Sequence, residues 1–351
     1  MPKTAVIILN WNGMKYLPDC LGTLVKQDYP KEDREFILVD NASTDESVKY
    51  AQENFPEITI IRNDKNYGFD KGNNIGIKYA LEKGYEYIVL LNQDTAVDET
   101  WLRELVRAAE SDKNIGGAQS LMMYHQDKEK VNSWGNQLHF LGFGFCGGNT
   151  EKLQEDFDCN IRDIDYASCT SVIFKSCVLK EIGGGFDEEY FLYHEDTDIS
   201  FRVRMAGYKM VLAPRSVMYH KYEFSRSITK FYYMERNRYR ILLTYFKWPT
   251  LVLNFPAFIA MECGMWLFAI KSGWAKEKFR AYAYMLNPKN LSDIFKKRRH
   301  IQKTRKLTDK EFTKNFAGEI MYQEIDNPLL RYIANPIFKI YWKIVKMIMV
   351  W

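Results

Sequence analysis

An α/β domain built on a mostly parallel sheet, followed by a basic and mostly helical region, is the fold class that three observations predict. Short apolar runs rich in Val and Ile alternate with segments of helical periodicity over residues 5–109, and each run ends in Asn or Asp. The 351 residues, 46% apolar and 27% charged, have the balance of a globular core. The charge divides along the chain: residues 1–250 hold 31 Lys and Arg against 37 Asp and Glu, and residues 251–351 hold 18 against 8. The head is thus −6 and the tail +10 within a net +4, the signature of a binding or catalytic head joined to a segment that seeks an anionic surface. The expected division is a domain over 1–245 and a helical, basic and aromatic region over 246–351.

Residues 5–9 form a β-branched run of the kind buried on both faces of a parallel sheet, and Leu17, Leu21, Leu24 and Val25 follow at helical spacing. The pattern repeats three times. Strand 36–39 leads to a helix through Val48 and Ala51; strand 58–61 leads to a helix with Ile75, Ile77, Ala80 and Leu81; strand 87–91 leads to a helix over 101–109. From 116 to 165 the pattern loosens into a Gly-rich stretch with Trp134, Phe140, Phe143 and Phe145, which fits a substrate-side loop or a plain surface hairpin. A strand over 167–174, a short helix over 176–182 and a Gly-rich stop follow.

Ligands of such sheets bind outside the carboxyl ends of the strands. Here those ends carry Asn10 and Asn12, Asp40 and Asn41, Asn63 and Asn66, Asn92 and Asp94. Turn chemistry explains one or two polar ends and four less well. Asn92-Gln93-Asp94 places a carboxylate where it can meet a metal ion and a diphosphate, the alternative being a cap for a helix starting near Glu99. No GxGxxG follows the first strand and no GxxxxGK[ST] occurs, so an ordinary dinucleotide fold or P-loop ATPase is not expected. Gly68, Gly72 and Gly76 put small residues on one helix face, open to a ligand or to close helix–sheet packing. Further on, Glu195-Asp196 follow an aromatic stretch at a helix start, where crowded like charges beside an apolar wall raise one carboxyl toward the range of a general base. Asp198 fits a helix-dipole partner.

In order and spacing, Val39-Asp40-Asn41-Ala42-Ser43-Thr44-Asp45, residues 66–76, residues 91–95 and residues 184–202 together resemble the family 2 glycosyltransferases of the GT-A fold, in particular the rhamnosyltransferase-like branch. The resemblance extends over about residues 4–245. It implies a nucleotide-diphosphate sugar donor, a divalent metal (Mn2+ or Mg2+) and inversion at the anomeric carbon. By position it makes Asp40 the base-reading acid, near Asn10, Asn12 and Asn41, with Asn66, Gly72 and Asn73 on the ribose and diphosphate side. Asp94 resembles the last acid of the family's metal-binding Asp-x-Asp, whose first acid is here Asn92, a weaker donor for a hard cation. His220 resembles a late His that joins the metal. Asp196, with Glu195 second, resembles the general base.

The tail carries the membrane expectation. Residues 251–270 are apolar over the length needed to span a bilayer but contain Asn254, Pro256 and Glu262, which points to a shallow or re-entrant element, with a core helix of the domain as the alternative. Lys296, Lys297, Arg298, Arg299, Lys303, Arg305 and Lys306 form a cluster with no acid among them. No nucleic-acid module accompanies it. In 337–351 the only charges are Lys339, Lys343 and Lys346, one stripe on an otherwise apolar helix, the pattern of an interfacial helix on anionic lipids. The six Cys lack a CxxC pair and are expected reduced, and the N-terminus is too short and wrongly flanked for a signal peptide. The functional expectation is transfer of a sugar, rhamnose or another hexose, to a lipid-linked or growing surface glycan at the cytoplasmic membrane face. A sugar-nucleotide sensor or assembly scaffold is the alternative, and a nucleotidyltransferase a third, disfavoured for want of a Gly-rich triphosphate loop.

Overall fold

A computed structural model describes residues 1–222, 228–321 and 328–351. The alternation appears as β1 (Thr4–Asn10), α1 (Leu17–Leu24), β2 (Arg34–Asp40), α2 (Ser47–Asn54), β3 (Thr59–Arg62), α3 (Gly68–Lys83) and β4 (Tyr87–Asn92). Parallel pairing sets Asn10 opposite Asp40 and Leu9 opposite Asn92, so the polar strand ends share one edge. The Ile, Val and Leu of β1, β2 and β4 are buried, Leu9 partly, because helices cover both faces of this half-sheet.

β5 (Thr95–Val97) and α4 (Trp101–Glu110) come next. The helix begins beyond β5 and its N-cap is Thr100, so Asn92 and Asp94 are not helix caps. β6 (Ile115–Tyr124) lies in the stretch that reads as loose, because Gly116, Gly117, Gln119 and Ser120 dilute its strand pattern. The short strands β7 (Val131–Ser133), β8 (Asn136–Leu138), β9 (Gly144–Cys146) and β10 (Arg162–Asp163) follow, then β11 (Ser171–Lys175), α5 (Ser176–Glu181), α6 (Glu195–Met205) and β12 (Lys209–His220). The sheet order is β10-β12-β6-β11-β4-β1-β2-β3. β11 runs antiparallel between β4 and β6, whereas β12 is parallel to β6, making a mixed sheet whose first half is parallel. β12 continues past a register shift between Ala213 and Val217 to reach His220.

The C-terminal helices are α7 (Lys230–Tyr245), α8 (Trp248–Lys271), α9 (Ala275–Leu286), α10 (Pro288–Thr304), α11 (Asp309–Phe312) and α12 (Asn335–Ile348). They share one core with the head: Phe140, Phe201, Tyr245, Phe312, Phe316 and Trp342 are buried together, and Phe140 stacks on Trp342 with centroids 4.9 Å apart. Residues 246–351 are therefore seated on the α/β domain through a common apolar interior.

α8 explains its own polar residues. Glu262 turns inward to Arg238 and Lys278 (2.8 Å), and both cations also reach Glu235 (3.1 and 2.6 Å), with the Tyr239 hydroxyl 2.9 Å from each acid. Two acids and two bases thus neutralise one another in a buried network joining α7, α8 and α9. The opposite face is exposed and apolar: Trp248, Val252, Phe255, Ile259, Leu267 and Ile270. The basic cluster, too, is largely consumed within the fold, Asp187, Asp198 and Glu181 coming from distant parts of the chain and Asp309 from four residues beyond Arg305. Lys297 meets Asp187 (2.5 Å) and Asp198 (2.6 Å), Arg305 meets Asp309 (2.6 Å) and Lys306 meets Glu181 (3.1 Å). None of the six cysteines forms a disulfide, and only Cys20 and Cys169 are buried. Because removing one member of a buried ion network strands the rest, Glu262→Ala is expected to cost about 3–5 kcal/mol. Chemical denaturation followed by circular dichroism checks this.

Candidate active site

The edge formed by the carboxyl ends of β1, β2 and β4 is built from side chains that satisfy one another. Asp40, fully buried, accepts from Asn10 Nδ2 (2.9 Å) and from the Ser43 backbone N–H (3.2 Å). Asn10 Nδ2 also faces the hydroxyls of Ser43 and Ser47, both at 3.0 Å. Asn12, with φ +49°, accepts from Thr44 N–H through Oδ1 (2.8 Å). Asn41 donates to the Gly68 carbonyl (2.9 Å) and accepts from Asn63 (2.8 Å), which fixes the entry to α3. Asn66 accepts from Gly68 N–H (2.8 Å), and buried Asn73 donates to the Phe69 carbonyl (3.0 Å).

The glycine spacing is explained by packing at two positions. A Cβ on Gly72 would lie 2.5 Å from Leu9 Cδ1 and 2.9 Å from Asn41 Nδ2, and one on Gly76 would lie 2.6 Å from Ile7 Cγ2. Only glycine lets α3 lie this close to β1 and β2. Gln93, which the sequence did not single out, closes the other side: its Oε1 accepts from Trp11 N–H (3.0 Å) and its Nε2 donates to the Trp11 carbonyl (3.3 Å).

Asp94 and His220 meet although 126 positions separate them, because β5 pairs with β12 and sets His220 opposite Thr95. His220 Nε2 lies 3.5 Å from Asp94 Oδ2. Its Nδ1 is 3.0 Å from Asn132 Oδ1, so with that oxygen accepting, Nδ1 carries the proton and Nε2 turns a lone pair toward the carboxylate. Two acceptors then face each other, and Asp94 Oδ1 is buried without a partner. A cation relieves both conditions, so these residues fit a divalent metal. Among the described residues no group of three or more His, Cys, Asp or Glu converges, so Asp94 and His220 would hold a metal whose remaining positions go to other oxygens.

The second cluster heads α6. Glu195 and Asp196 are half-buried, and Asp70 on α3 is buried. Burial pushes the Asp196 carboxyl up to about 6, although Thr197 N–H donates to it at 2.6 Å. Burial, then the charges of Asp196 and Asp70, hold Glu195 well above the usual carboxylate range, and its Oε2 is buried without a partner. Burial and the nearby charges of Asp187, Asp198 and Asp196 push Asp70 up to about 7. Two residues on, Asp198 is held well below that range by Lys297 and Arg202 despite complete burial. His194, the N-cap of α6, has an imidazole that burial lowers to about 4, so it sits beside the acids as a neutral ring. The acid pair also borders the Asn92 edge: its charges help hold the thiol of Cys169 protonated, and the next residue, Thr170, accepts from Asn92 N–H (2.9 Å).

The structure thus assembles Asn10, Asn12, Asp40 and Asn41 in one polar network and joins Asp94 to His220. Asp70, Gln93 and Asn132 were missed. Asp70 lay inside a quoted motif, but no spacing signals that a residue of α3 reaches the acid pair.

The pattern described as "Glycosyl transferase family 2" matches residues 5–163, and "Glycosyl transferase family group 2" matches residues 87–287, more than half of the chain. The chain is 24% identical over 171 residues to the low-salt glycan biosynthesis hexosyltransferase Agl10 of Haloferax volcanii, covering 48% of this chain and 53% of that protein. It is 25% identical over 194 residues to the dTDP-rhamnosyl transferase RfbF of Shigella flexneri (54% and 61%). It is 24% identical over 203 residues to the N-acetylglucosaminyl-diphospho-decaprenol L-rhamnosyltransferase of Mycobacterium tuberculosis (53% and 66%). The chain therefore matches between 53% and 66% of the length of these relatives. Among solved structures, GalNAc-T7 with UDP, GalNAc and Mn2+ aligns with a TM-score of 0.56 at 16% identity over 70% of this chain and 48% of that one. Staphylococcus aureus TarS 1-349 with UDP-GlcNAc aligns at 0.52 and 15% identity over 98% and 90%. At such identities the likeness is one of fold, the mixed GT-A sheet. With the matched patterns spanning both the nucleotide-edge residues and the acid pair, the chain belongs to glycosyltransferase family 2.

Proposed function

We propose that this glycosyltransferase moves one sugar, rhamnose or another hexose, from a nucleotide-diphosphate donor to a lipid-linked or growing surface-glycan acceptor at the cytoplasmic membrane face, with inversion. The observation that carries this is a carboxyl pair with raised proton affinity that is linked through Cys169 and Thr170 to the strand end at Asn92, two residues before the Asp94 that faces His220. The relatives named as rhamnosyltransferases, one of them acting on a diphospho-decaprenol, support the donor class and the lipid-linked acceptor.

Asn10, Asn12, Asp40, Asn41, Asn66 and Asn73 line the donor side in this reading, with Asp40 ordering the loop that receives the base. Gly72 contributes by letting α3 approach them. Asp196 takes the proton of the acceptor hydroxyl, and Glu195, which retains its own proton, adds no second negative charge to the pocket. The acceptor oxygen bonds to the anomeric carbon as the bond to the diphosphate breaks, and the electron pair leaves with the nucleoside diphosphate. Asp94 and His220 would hold a divalent metal, whose chemistry when bound would be Lewis-acid neutralisation of that leaving group. Asn132 orients the imidazole, and Asn92 offers a neutral amide where an acid would bind a cation more tightly.

Membrane contact is supported by two helices side by side. Tyr341 of α12 donates to the Leu253 carbonyl of α8, and both helices turn apolar side chains outward: Val252, Phe255 and Ile259 on one, Ile337, Ile340 and Ile344 on the other. Exposed Lys339 and Lys343 flank them, suiting anionic headgroups. α8 is long and apolar enough to cross a membrane, but its inward Glu262 fits a helix lying on the surface.

Three outcomes follow. Since Asp196 works as a base only when ionised, kcat is expected to fall about tenfold per pH unit below about pH 6 and to level off above it. Asp196→Asn abolishes transfer at every pH in a discontinuous sugar-transfer assay; full retained activity sinks the assignment. Excess EDTA or His220→Ala lowers kcat/KM by about 10–100-fold, with Mn2+ restoring the EDTA-treated wild type in the same assay. Ile340→Glu with Phe255→Glu, both at exposed positions, abolishes co-sedimentation with anionic liposomes while nucleotide-sugar binding by calorimetry is retained. Donor binding without turnover over a donor and acceptor panel favours the sensor or scaffold instead.

A further inference from the structure

The residues that lead into the acid pair have a backbone no local preference explains. Phe191, Tyr193 and His194 have φ of +64°, +62° and +66°, and none is glycine. Each such residue costs about 1–2 kcal/mol, so the segment holds this shape only if its surroundings impose it.

Three side chains do so. Asn237 on α7, fully buried, points Nδ2 at the carbonyl oxygens of Tyr190 (3.0 Å), Leu192 (2.9 Å) and Tyr193 (2.7 Å). Its own Oδ1 accepts from Arg236 Nε (2.9 Å), which fixes which end of the amide faces the segment. The Arg236 guanidinium also donates to the carbonyls of Glu189 and Tyr190, both at 2.7 Å. From the other side, Asp70 Oδ2 accepts from Phe191 N–H (2.8 Å). The carbonyls of 189, 190, 192 and 193 are thus gathered on α7, and the Phe191 N–H is tied to α3, the helix whose first turn follows Asn66. His194 then caps α6, so the direction of the first helical turn, and with it the aim of Glu195 and Asp196, is set by these bonds.

We propose that Asn237 is a positioning residue for the transfer reaction: by holding the carbonyls of residues 190, 192 and 193 it keeps Phe191, Tyr193 and His194 in the left-handed conformation that aims Asp196 at the acceptor hydroxyl. This rests on Asp196 as the base. Losing the clamp lets the segment relax toward ordinary dihedrals, and a displacement of about 1 Å at a reacting group costs about 100-fold in rate.

The test uses the full-length protein. In Asn237→Ala, kcat is expected to fall about 100-fold, with the donor dissociation constant by calorimetry within about twofold of wild type, since no donor-side residue moves. Adding His194→Gly to Asn237→Ala, which makes the left-handed φ free of steric cost, is expected to recover about tenfold of the lost kcat. Asn237→Asp, which keeps the shape but removes the N–H donors, is expected to resemble the alanine variant. The proposal is overturned if kcat of Asn237→Ala stays within about twofold of wild type, if donor binding is lost in parallel with kcat, as a purely structural role predicts, or if the glycine gives no recovery. Asp196→Asn run alongside separates the two claims: its retained activity removes the base assignment itself, whereas an inactive Asp196→Asn beside an active Asn237→Ala refutes only the clamp.

Discussion

The parallel register of β1 with β2 and β4 is the constraint on which the site depends. A slip of one residue in either ladder would send the terminal side chains to opposite faces of the sheet. With Asn10 opposite Asp40, the amide and the carboxylate meet at 2.9 Å, and a fully buried acid gains the donors it needs. That bond has consequences along the chain. It fixes the turn through Ser43 and leaves Asn41 aimed at the Gly68 carbonyl, so the start of α3 is tied to the end of β2. The absence of side chains at Gly72 and Gly76 then lets α3 lie close enough for Asp70 to reach across to residue 191. The donor edge and the acid pair are in this way mechanically continuous.

The helical tail contributes to that continuity. Arg238 on α7 belongs to the buried ion network with Glu262 and Lys278, while its neighbour Asn237 holds the segment ahead of the acid pair. Successive helix positions point about 100° apart, so one turn of α7 faces the tail with one residue and the active site with the next. The position of α8, whose outer face is apolar, is thus joined to the backbone that presents Asp196 through a single helix whose contacts on both sides are buried.

Much of this was legible because period and polarity are local. The four strand–helix units, the polar strand ends and the acid pair could be read from 5–15 residues at a time, and each element stands within a few residues of its expected place. What could not be read depends on pairing across the chain. That Asn92 and Asp94 do not cap α4 follows from a three-residue strand, β5, too short to leave a pattern. The 296–306 cluster looked free of acids because Asp187, Asp198 and Glu181 lie more than 95 positions away in sequence. β6 was hidden by glycines that are there because Ile173, Phe174 and Met210 crowd the position of Gly117. No local pattern marks Asn237, and only the fold reveals that its partners are the carbonyls of residues 190, 192 and 193.

The contrast between Asp196 and Asp198 shows how the tail enters the chemistry. Both are in the first turn of α6 and both lie in a poorly solvated environment, yet one carboxyl is pushed up and the other held down. The difference is supplied by cations: Asp198 has Lys297 at 2.6 Å and Arg202 at 3.1 Å, and the Tyr245 hydroxyl at 2.7 Å, whereas among the described residues Asp196 has only hydrogen bonds from Thr197. Lys297 comes from α10. By compensating Asp198 and Asp187 it limits the negative field that both acids direct at Asp70. Three uncompensated carboxyls near one pocket cannot all ionise near neutral pH; with Glu195 and Asp70 favouring their protonated forms, Asp196 is the member that can ionise first. The basic tail therefore acts on Asp70, and through Asp70 on Glu195, by the field it removes, and the charge asymmetry of the sequence has an internal use.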